Sequence, residues 1–208
     1  MYDNIRNLHI IENLHKNENI QTGDLLLFDY YGYGISGWFS WLIKYFTNSN
    51  YTHIGMIVID PEFTNPPLKG VYLWESGYNQ HLDPEDHKCK FGVQLTPIQT
   101  VLNEYENKGK IFYRKLNCPN NTFNYEKLRR IHTIVHNNKY DTNPYDWFTT
   151  LLYYDTNPQK EDRFWCSALV GYIYTKLNIL IPTTDWSILR PCDFSSDKEN
   201  LNLLSTSH

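Results

Sequence analysis

Cys166 and His53 are the two side chains whose positions in the sequence best suit nucleophilic chemistry. Cys166 is predicted to begin a helix that continues to Leu177, and the unpaired N–H groups at a helix start lower the pKa of a cysteine thiol. His53 lies in the β-rich segment 51–59, where a strand would hold its imidazole rigidly as a general base. Each residue also has a structural interpretation: a buried thiol for Cys166 and a hydrogen-bonded core imidazole for His53.

Glu75 is the residue that could orient His53, because a general base usually needs a third group to fix its tautomer. The turn-forming stretch 60–69 separates segment 51–59 from 71–75, which predicts an antiparallel hairpin. If the turn is centred near residue 64, paired residue numbers sum to 128. Glu75 then lies opposite His53 on the same face. A shift by one residue would move Glu75 to the other face and leave it as a solvated strand-end charge.

The elements that would position these residues form an α+β pattern. Short apolar or alternating runs predict strands at 25–28, 51–59, 71–75, about 92–96 and 110–116. Helical spacing and caps predict helices at 4–16, around Trp38 and Trp41, after Thr122 or Asn124, after Pro144, and from Cys166. We therefore expect an antiparallel sheet with helices packed on it, and the Cys166 helix with its N-terminus directed at the His53 strand.

Composition favours one folded domain. The 208 residues are 41% hydrophobic and 16% aromatic, which suits a sizeable core. The formal net charge is −4, and Lys and Arg are scattered, so we expect no nucleic-acid partner. No apolar run approaches about 18 residues, and the N-terminus lacks the basic start and apolar run of a signal peptide. We therefore expect a soluble, cytoplasmic protein without an integral membrane span.

The cysteines do not form a metal or disulfide pattern. Cys89, Cys118, Cys166 and Cys192 show no CxxC pairing and no short Cys/His spacing, so we expect thiols in a reducing compartment, with no metal and no cofactor. A metal site built from His53, Cys166 and a third ligand stays open as an alternative. Nothing in the sequence indicates the oligomeric state.

Five segments, in this order, resemble the circularly permuted NlpC-type papain-like superfamily, and the YiiX-like branch most closely. They are GDLLLF from Gly23, YTHIGMIV from Tyr51, Trp74-Glu75-Ser76, FWCSALV from Phe164, and RPCDF from Arg190. The resemblance covers about 20–194 and implies a hydrolase domain there. Residues 1–19 are then an N-terminal helical extension, and 195–208 a polar C-terminal tail.

The resemblance implies a Cys-His-Glu triad with Cys166 as nucleophile, His53 as base and Glu75 as the orienting group. Family members commonly carry Cys-Ser-Glu-Leu-Val where this chain has Ala168, so whatever that acidic residue supports is missing. The implied activity is hydrolysis or acyl transfer at an amide or ester bond, as in a peptidase, amidase or lipid acyl hydrolase. The superfamily includes peptidoglycan peptidases, enzymes similar to lecithin retinol acyltransferase, and poxviral members, so a viral protein in host cytoplasm or virion is one reading.

Other parts of the site stay open at the level of sequence. The second oxyanion donor could be the amide near Asp24 or one of Tyr30, Tyr31 and Tyr33, although Asp24 more simply caps the turn before its strand. Trp38 and Trp41 could line a cleft for an acyl chain or aromatic amide, or could be ordinary core. A catalytically idle binding or virion-associated module with the same fold is the alternative function.

Overall fold

The computed structural model describes residues 3–5, 20–32, 41, 43–45, 47–106, 108–118, 122–140 and 161–195. The strands are β1 (Asp3–Ile5), β2 (Leu25–Tyr30), β3 (His53–Ile59), β4 (Val71–Leu82), β5 (Cys89–Pro97) and β6 (Gly109–Arg114). They form one antiparallel sheet in the order β1-β6-β2-β3-β4-β5. The α-helices with described bounds are α1 (Ile98–Tyr105), α2 (Tyr125–Val135) and α3 (Cys166–Lys176). The α+β class is therefore confirmed.

Strand β3 lies inside the sheet and is buried on both faces. Ile54 and Met56 belong to the larger apolar cluster, to which α2 and α3 contribute. Ile57 belongs to a second cluster that includes Val101 and Leu102 of α1. A strand covered on both sides must carry apolar residues at almost every position, as β3 does after His53. The imidazole is thereby held at the start of a rigid, well-packed element.

Helix α3 is the centre of the larger cluster. Its residues from Cys166 to Thr175 are all buried, the pattern of a helix surrounded by protein, and it packs on β3 and β4. Two buried serine hydroxyls anchor its start: Ser76 Oγ donates to the carbonyl of Phe164 at 2.6 Å, and Ser167 Oγ donates to that of Leu189 at 2.6 Å. The helix start is therefore tied both to β4 and to the segment after α3.

The register between β3 and β4 differs from the expected one. Met56 pairs with Trp74 and Ile59 with Val71, so paired residue numbers sum to 130 and not 128. The turn closes on Asp60 and Gly70, where the amide of Asp60 donates to the carbonyl of Gly70 at 2.8 Å. Gly70 has φ +111°, a conformation that favours glycine, and this places the centre of the turn at residue 65.

The predicted helix at 4–16 is wrong at its start, because Asp3–Ile5 forms β1 on the edge of β6. Pairing with that edge satisfies backbone groups that a helix there would leave exposed on β6. Residues 6–19 lie outside the described residues, as do the helix predicted after Pro144 and the polar tail beyond Ser195. Asn124 caps α2, as predicted, by accepting from the amide of Lys127.

Helix α1 was not predicted, and β4 extends well past residue 75.

Among the described residues, no helix has the length and apolar character needed to cross a bilayer. The four cysteines all lie in the described part of the chain and form no disulfide with one another.

Candidate active site

His53 and Glu75 are in direct contact. Nε2 of His53 lies 2.6 Å from Oε2 of Glu75, and the two side chains are 19% and 9% exposed. The other carboxylate oxygen accepts from Thr96 Oγ1 at 2.5 Å, so three adjacent strands contribute one continuous chain of polar contacts. Fixed at both oxygens, the carboxylate can hold one ring orientation and one tautomer of His53.

Cys166 is the second side chain that acts on the His53 ring, and its charge and its hydrogen bonding both favour the protonated imidazole. Because Nε2 faces Glu75, Nδ1 is the ring nitrogen left for the sulfur. Burial opposes the charged imidazole, but the charges and hydrogen bonds of Cys166 and Glu75 outweigh it and raise the pKa of His53 to about 10. The imidazole of His53 is therefore protonated at neutral pH, between the Cys166 sulfur and the Glu75 carboxyl group.

Cys166 and His53 meet because each begins its element: Cys166 is the first residue of α3, and His53 is the first of β3. The residue before the helix, Trp165, is extended (φ −84°, ψ 172°). The amide of Cys166 lies in the first turn, where N–H groups have no acceptor within the helix. Thiol, imidazole and an unsatisfied backbone donor therefore lie together.

The observed register explains how Glu75 reaches His53. Continued from Met56 and Trp74, it places Gly77 opposite His53 and Glu75 opposite Gly55. The shift by two residues keeps Glu75 on the same face as His53, as a diagonal neighbour rather than a direct partner. A Cβ on Gly77 would lie 3.4 Å from Cε1 of His53, so this glycine makes room for the imidazole.

Gly55, two residues after His53, leaves space for the side chain of Leu73 and not for the imidazole. A Cβ there would meet Leu73 Cγ at 2.6 Å. The second side of the imidazole packs on Phe28, with ring centroids 5.4 Å apart. Phe28 pairs with His53 across β2 and β3 and is itself fully buried.

A cleft of about 360 Å³ opens to solvent beside Cys166. Its described lining includes Ile43 and Thr47 from the helical residues near 41–47, and Leu189, Arg190 and Pro191 from the segment after α3. Among the described residues, the lining is thus mostly apolar and hydroxylic, and Arg190 is its one cationic residue. Such a mixture suits an acyl group next to a polar anchor.

Arg190 is the cationic side chain of the cleft, and Asp193 positions it. The guanidinium contacts both carboxylate oxygens of Asp193 at 3.3 and 3.4 Å, and the amide of Arg190 donates to the same group at 2.8 Å. Both residues are buried. The Arg-Pro-x-Asp-Phe segment thereby builds a short 3-10 turn that presents Arg190 to the cleft.

The aromatic residues expected near the site have different positions. Trp41 is 58% exposed and stacks on Tyr45 with centroids 5.5 Å apart, so the core interpretation of Trp41 is wrong, and it is not part of the described cleft lining. Trp38 and Tyr33 lie outside the described residues. Tyr31 donates to the carboxylate of Asp29 at 2.6 Å.

Asp24 is a structural brace, which confirms the simpler interpretation of this residue. Its fully buried carboxylate accepts from the amides of Gln21 and Leu116 and from the hydroxyl of Tyr113. The amide of Asp24 donates to the carbonyl of Gln21 at 3.1 Å, so it is already used within the turn. It is therefore a poor candidate for an oxyanion donor.

Two residues near the site were missed at the level of sequence. Tyr105 packs on Phe28 with centroids 4.5 Å apart; burial first, then the charges of Glu75, Glu104 and Cys166, raise the pKa of its hydroxyl, which therefore stays protonated. Trp165 is 8% exposed and lines the cleft, and its indole Nε1 has no hydrogen-bond partner among the described residues. Of the two, Trp165 is the residue that lies next to Cys166 and lines the cleft.

A further polar cluster, Glu85, His132 and His136, was also missed. Its sequence signal was two histidines four residues apart on a predicted helix. The cluster contains no cysteine, so the Cys/His spacings typical of zinc sites do not mark it.

Comparison with protein-family models and with curated proteins finds no match to the chain. What the site can do therefore follows from its side chains: a thiol at a helix start, an imidazole in contact with it, and a buried carboxylate behind the imidazole.

Proposed function

We propose that the chain is a cysteine hydrolase or acyltransferase of the permuted papain-like kind, acting on an amide or ester bond. The observation that supports this most is that His53 contacts Cys166 and Glu75 at once, with a pKa near 10. A purely structural histidine needs no thiol partner, and a structural cysteine needs no charged ring beside it.

The reaction begins with attack of the Cys166 thiolate on the substrate carbonyl carbon. Collapse of the tetrahedral intermediate breaks the amide or ester bond, and the His53 imidazolium gives its proton to the leaving amine or alcohol. The acyl group is then a thioester on Cys166. Neutral His53 takes a proton from water, or from an acceptor amine or alcohol, which attacks the thioester and releases the acyl product and the thiolate.

The negative oxygen of the intermediate needs donors. The amide of Cys166 at the start of α3 is one, and the unpartnered indole N–H of Trp165 is our candidate for the second. Removal of one oxyanion donor in an acyl-transfer enzyme costs about 2.7 to 4 kcal/mol of barrier. Trp165, and not a tyrosine of the 30–33 loop, is thus the first residue to substitute in a test for the second oxyanion donor.

The cleft supports an acyl or peptide-like substrate. It lies open to solvent beside the Cys166 thiol, so an extended acyl chain or peptide segment could lie along it. Apolar Ile43 and Leu189 would contact an acyl chain, and Arg190 would meet a polar or anionic group. We favour an amide or acyl ester on a cellular lipid or protein conjugate.

Alkylation by iodoacetamide at pH 6 tests the assignment. An ordinary thiol with a pKa near 8.5 is then almost entirely protonated, whereas an imidazolium-paired thiolate still reacts. We expect peptide mapping to show rapid modification of Cys166, and His53→Ala to remove it. Cys89→Ala, which removes an exposed thiol, should leave the rate at Cys166 unchanged. A Cys166 rate at pH 6 no faster than that of Cys89 would refute the proposal.

A further inference from the structure

Glu85, His132 and His136 converge on one point away from the Cys166 site. Oε2 of Glu85 lies 2.9 Å from Nε2 of His132 and 3.4 Å from Nδ1 of His136. The three atoms all lie within 4.8 Å of one another. His132 and Glu85 are largely buried, at 10% and 7% side-chain exposure, and His136 is 25% exposed.

We propose that these three side chains form a Zn²⁺ site that links α2 to the turn between β4 and β5. Two imidazole nitrogens and one carboxylate oxygen are a donor set that suits zinc and does not suit Mg²⁺ or Ca²⁺. Bonds of about 2.0 to 2.2 Å in tetrahedral geometry separate ligand atoms by roughly 3.3 to 3.5 Å. The distance from Glu85 to His136 is already 3.4 Å, the distance from Glu85 to His132 would lengthen from 2.9 Å, and the two ring nitrogens lie within 4.8 Å of each other, so small side-chain movements bring the three atoms to that spacing.

The arrangement of the two rings favours a cation between them. Both histidines approach the same oxygen of Glu85, and their ring centroids are only 4.7 Å apart. Two protonated rings would repel each other at this distance, while two neutral rings would share a single strong acceptor. A bound cation takes one lone pair from each ring and one from the carboxylate, with the proton of each ring on its other nitrogen.

The ligands are held in place by their own neighbours, as metal ligands usually are. The second oxygen of Glu85 accepts from the amide of Asn65 at 3.1 Å. The His132 ring packs against Phe63 and Trp74, with centroids 5.2 and 6.0 Å away. His132 lies in the last turn of α2 and His136 caps the C-terminus of the helix, where its amide donates to the carbonyl of His132, so the two residues lie on one face.

The ammonium group of Lys90, which acts on His136, is paired with carboxylates. Lys90 contributes to the electrostatics of His136, but its ammonium contacts Asp83 at 2.8 Å and Asp86 at 3.1 Å. Asp83 also accepts from the amide of Glu85 at 2.9 Å, so the turn that carries Glu85 is fixed by the same carboxylates. A divalent cation therefore enters a site whose other charges are already paired.

Zinc binding by metal-free protein tests the site. We would use the Cys166→Ser chain, so that the reactive thiol cannot bind the ion, and measure the affinity by competition with a chromophoric chelator. We expect one equivalent of zinc to bind, and Tm to rise by about 5 to 10 °C at a zinc concentration roughly 100 times Kd. Mg²⁺ should leave Tm unchanged.

His136→Gln and Glu85→Gln in the same background are the informative variants, because the His132 ring also packs on Phe63 and Trp74 and its loss would disturb the core. Loss of a residue that merely orients a ligand weakens metal binding about 10- to 100-fold, so we expect each ligand substitution to weaken zinc by at least that factor and to remove the rise in Tm. His81→Gln, at a side chain that is 49% exposed, is the matched control and should bind zinc normally. Equal zinc affinity in the Cys166→Ser protein and in His136→Gln, or no effect of zinc on Tm, would overturn the proposal.

Discussion

Nε2 of His53 lies 2.6 Å from Oε2 of Glu75, so a carboxylate on β4 fixes an imidazole on β3. The contact is buried and backed by the hydroxyl of Thr96. It leaves the opposite ring nitrogen for the sulfur of Cys166. The pair therefore decides both the orientation of the proposed base and its protonation.

Replacement of Glu75 by Gln should lower turnover or acyl-probe labelling by about 10⁴-fold, the loss seen when the orienting carboxylate of a triad is removed. The amide keeps the shape of the side chain but lacks the charge that stabilises an imidazolium. Labelling kinetics with an acyl electrophile would measure the loss. Thr96→Val, which removes only the hydroxyl behind the carboxylate, should cost much less; equal losses in the two variants would contradict the assigned roles.

The protonation of His53 makes a pH prediction. Its pKa is raised from the ordinary 6.5 to about 10, so the folded state binds the proton more tightly than the unfolded state. The stabilisation is fully present below about pH 6.5 and is lost as the pH rises through about 10. Urea unfolding at pH 7, 8.5 and 10 should show this loss.

The His53→Gln variant is the control for that measurement and should show a flatter decline over the same interval. NMR of the imidazole C–H signals gives a direct check, in which Cys166→Ala should lower the pKa of His53. A His53 resonance that titrates near 6.5 in the unsubstituted protein would exclude the charge state described above.

Gly77 allows a test of how closely the imidazole must be placed. A Cβ there would be at 3.4 Å from Cε1 of His53, an ordinary contact, so Gly77→Ala should react nearly normally. The branched side chain of Gly77→Val would displace the ring, and a misplacement of about 1 Å can cost about 10²-fold in rate. Rates for the two variants, compared with their Tm values, separate misplacement from unfolding. Equal labelling rates in Gly77→Ala and Gly77→Val would show that the position of the His53 ring is unimportant for the reaction.

Ser76→Ala should destabilise the fold through the start of α3. The hydroxyl of Ser76 is buried and donates to the carbonyl of Phe164, and an unsatisfied buried carbonyl costs about 1 to 3 kcal/mol. Urea denaturation would measure the decrease in the free energy of unfolding. Thr133→Ala removes an exposed hydroxyl that donates to the carbonyl of Arg129, and it should change stability by less than about 0.5 kcal/mol.

The sequence predicted which residues share a face better than which residues pair. Alternation along β3 and β4 depends only on parity, so Glu75 stayed on the His53 face although the register moved by two residues. The register depends on how the turn closes, and that closure rests on Asp60 and on the positive φ of Gly70. Neither is visible in a count of apolar residues.

Helix α1 could have been predicted from the sequence. Ile98, Val101, Leu102 and Tyr105 have the i, i+3, i+4, i+7 spacing of an amphipathic helix, directly after Pro97. The cleft could not have been predicted from the sequence. Leu189 and Arg190 come from a segment without periodicity, and this segment approaches the thiol only through tertiary packing. Glu85 is similar: its turn meets His132 across 47 positions of the chain.

The complete burial of α3 from Cys166 to Thr175 affects how the protein would lose its activity. Backbone amides in such a segment exchange with deuterated solvent only when the whole domain opens. The proposed nucleophile thus lies in the part of the molecule that unfolds last, because the helix that it begins is covered by other parts of the protein. Thiol reactivity and tertiary structure should therefore disappear at one denaturant midpoint, without a folded but inactive stage between them.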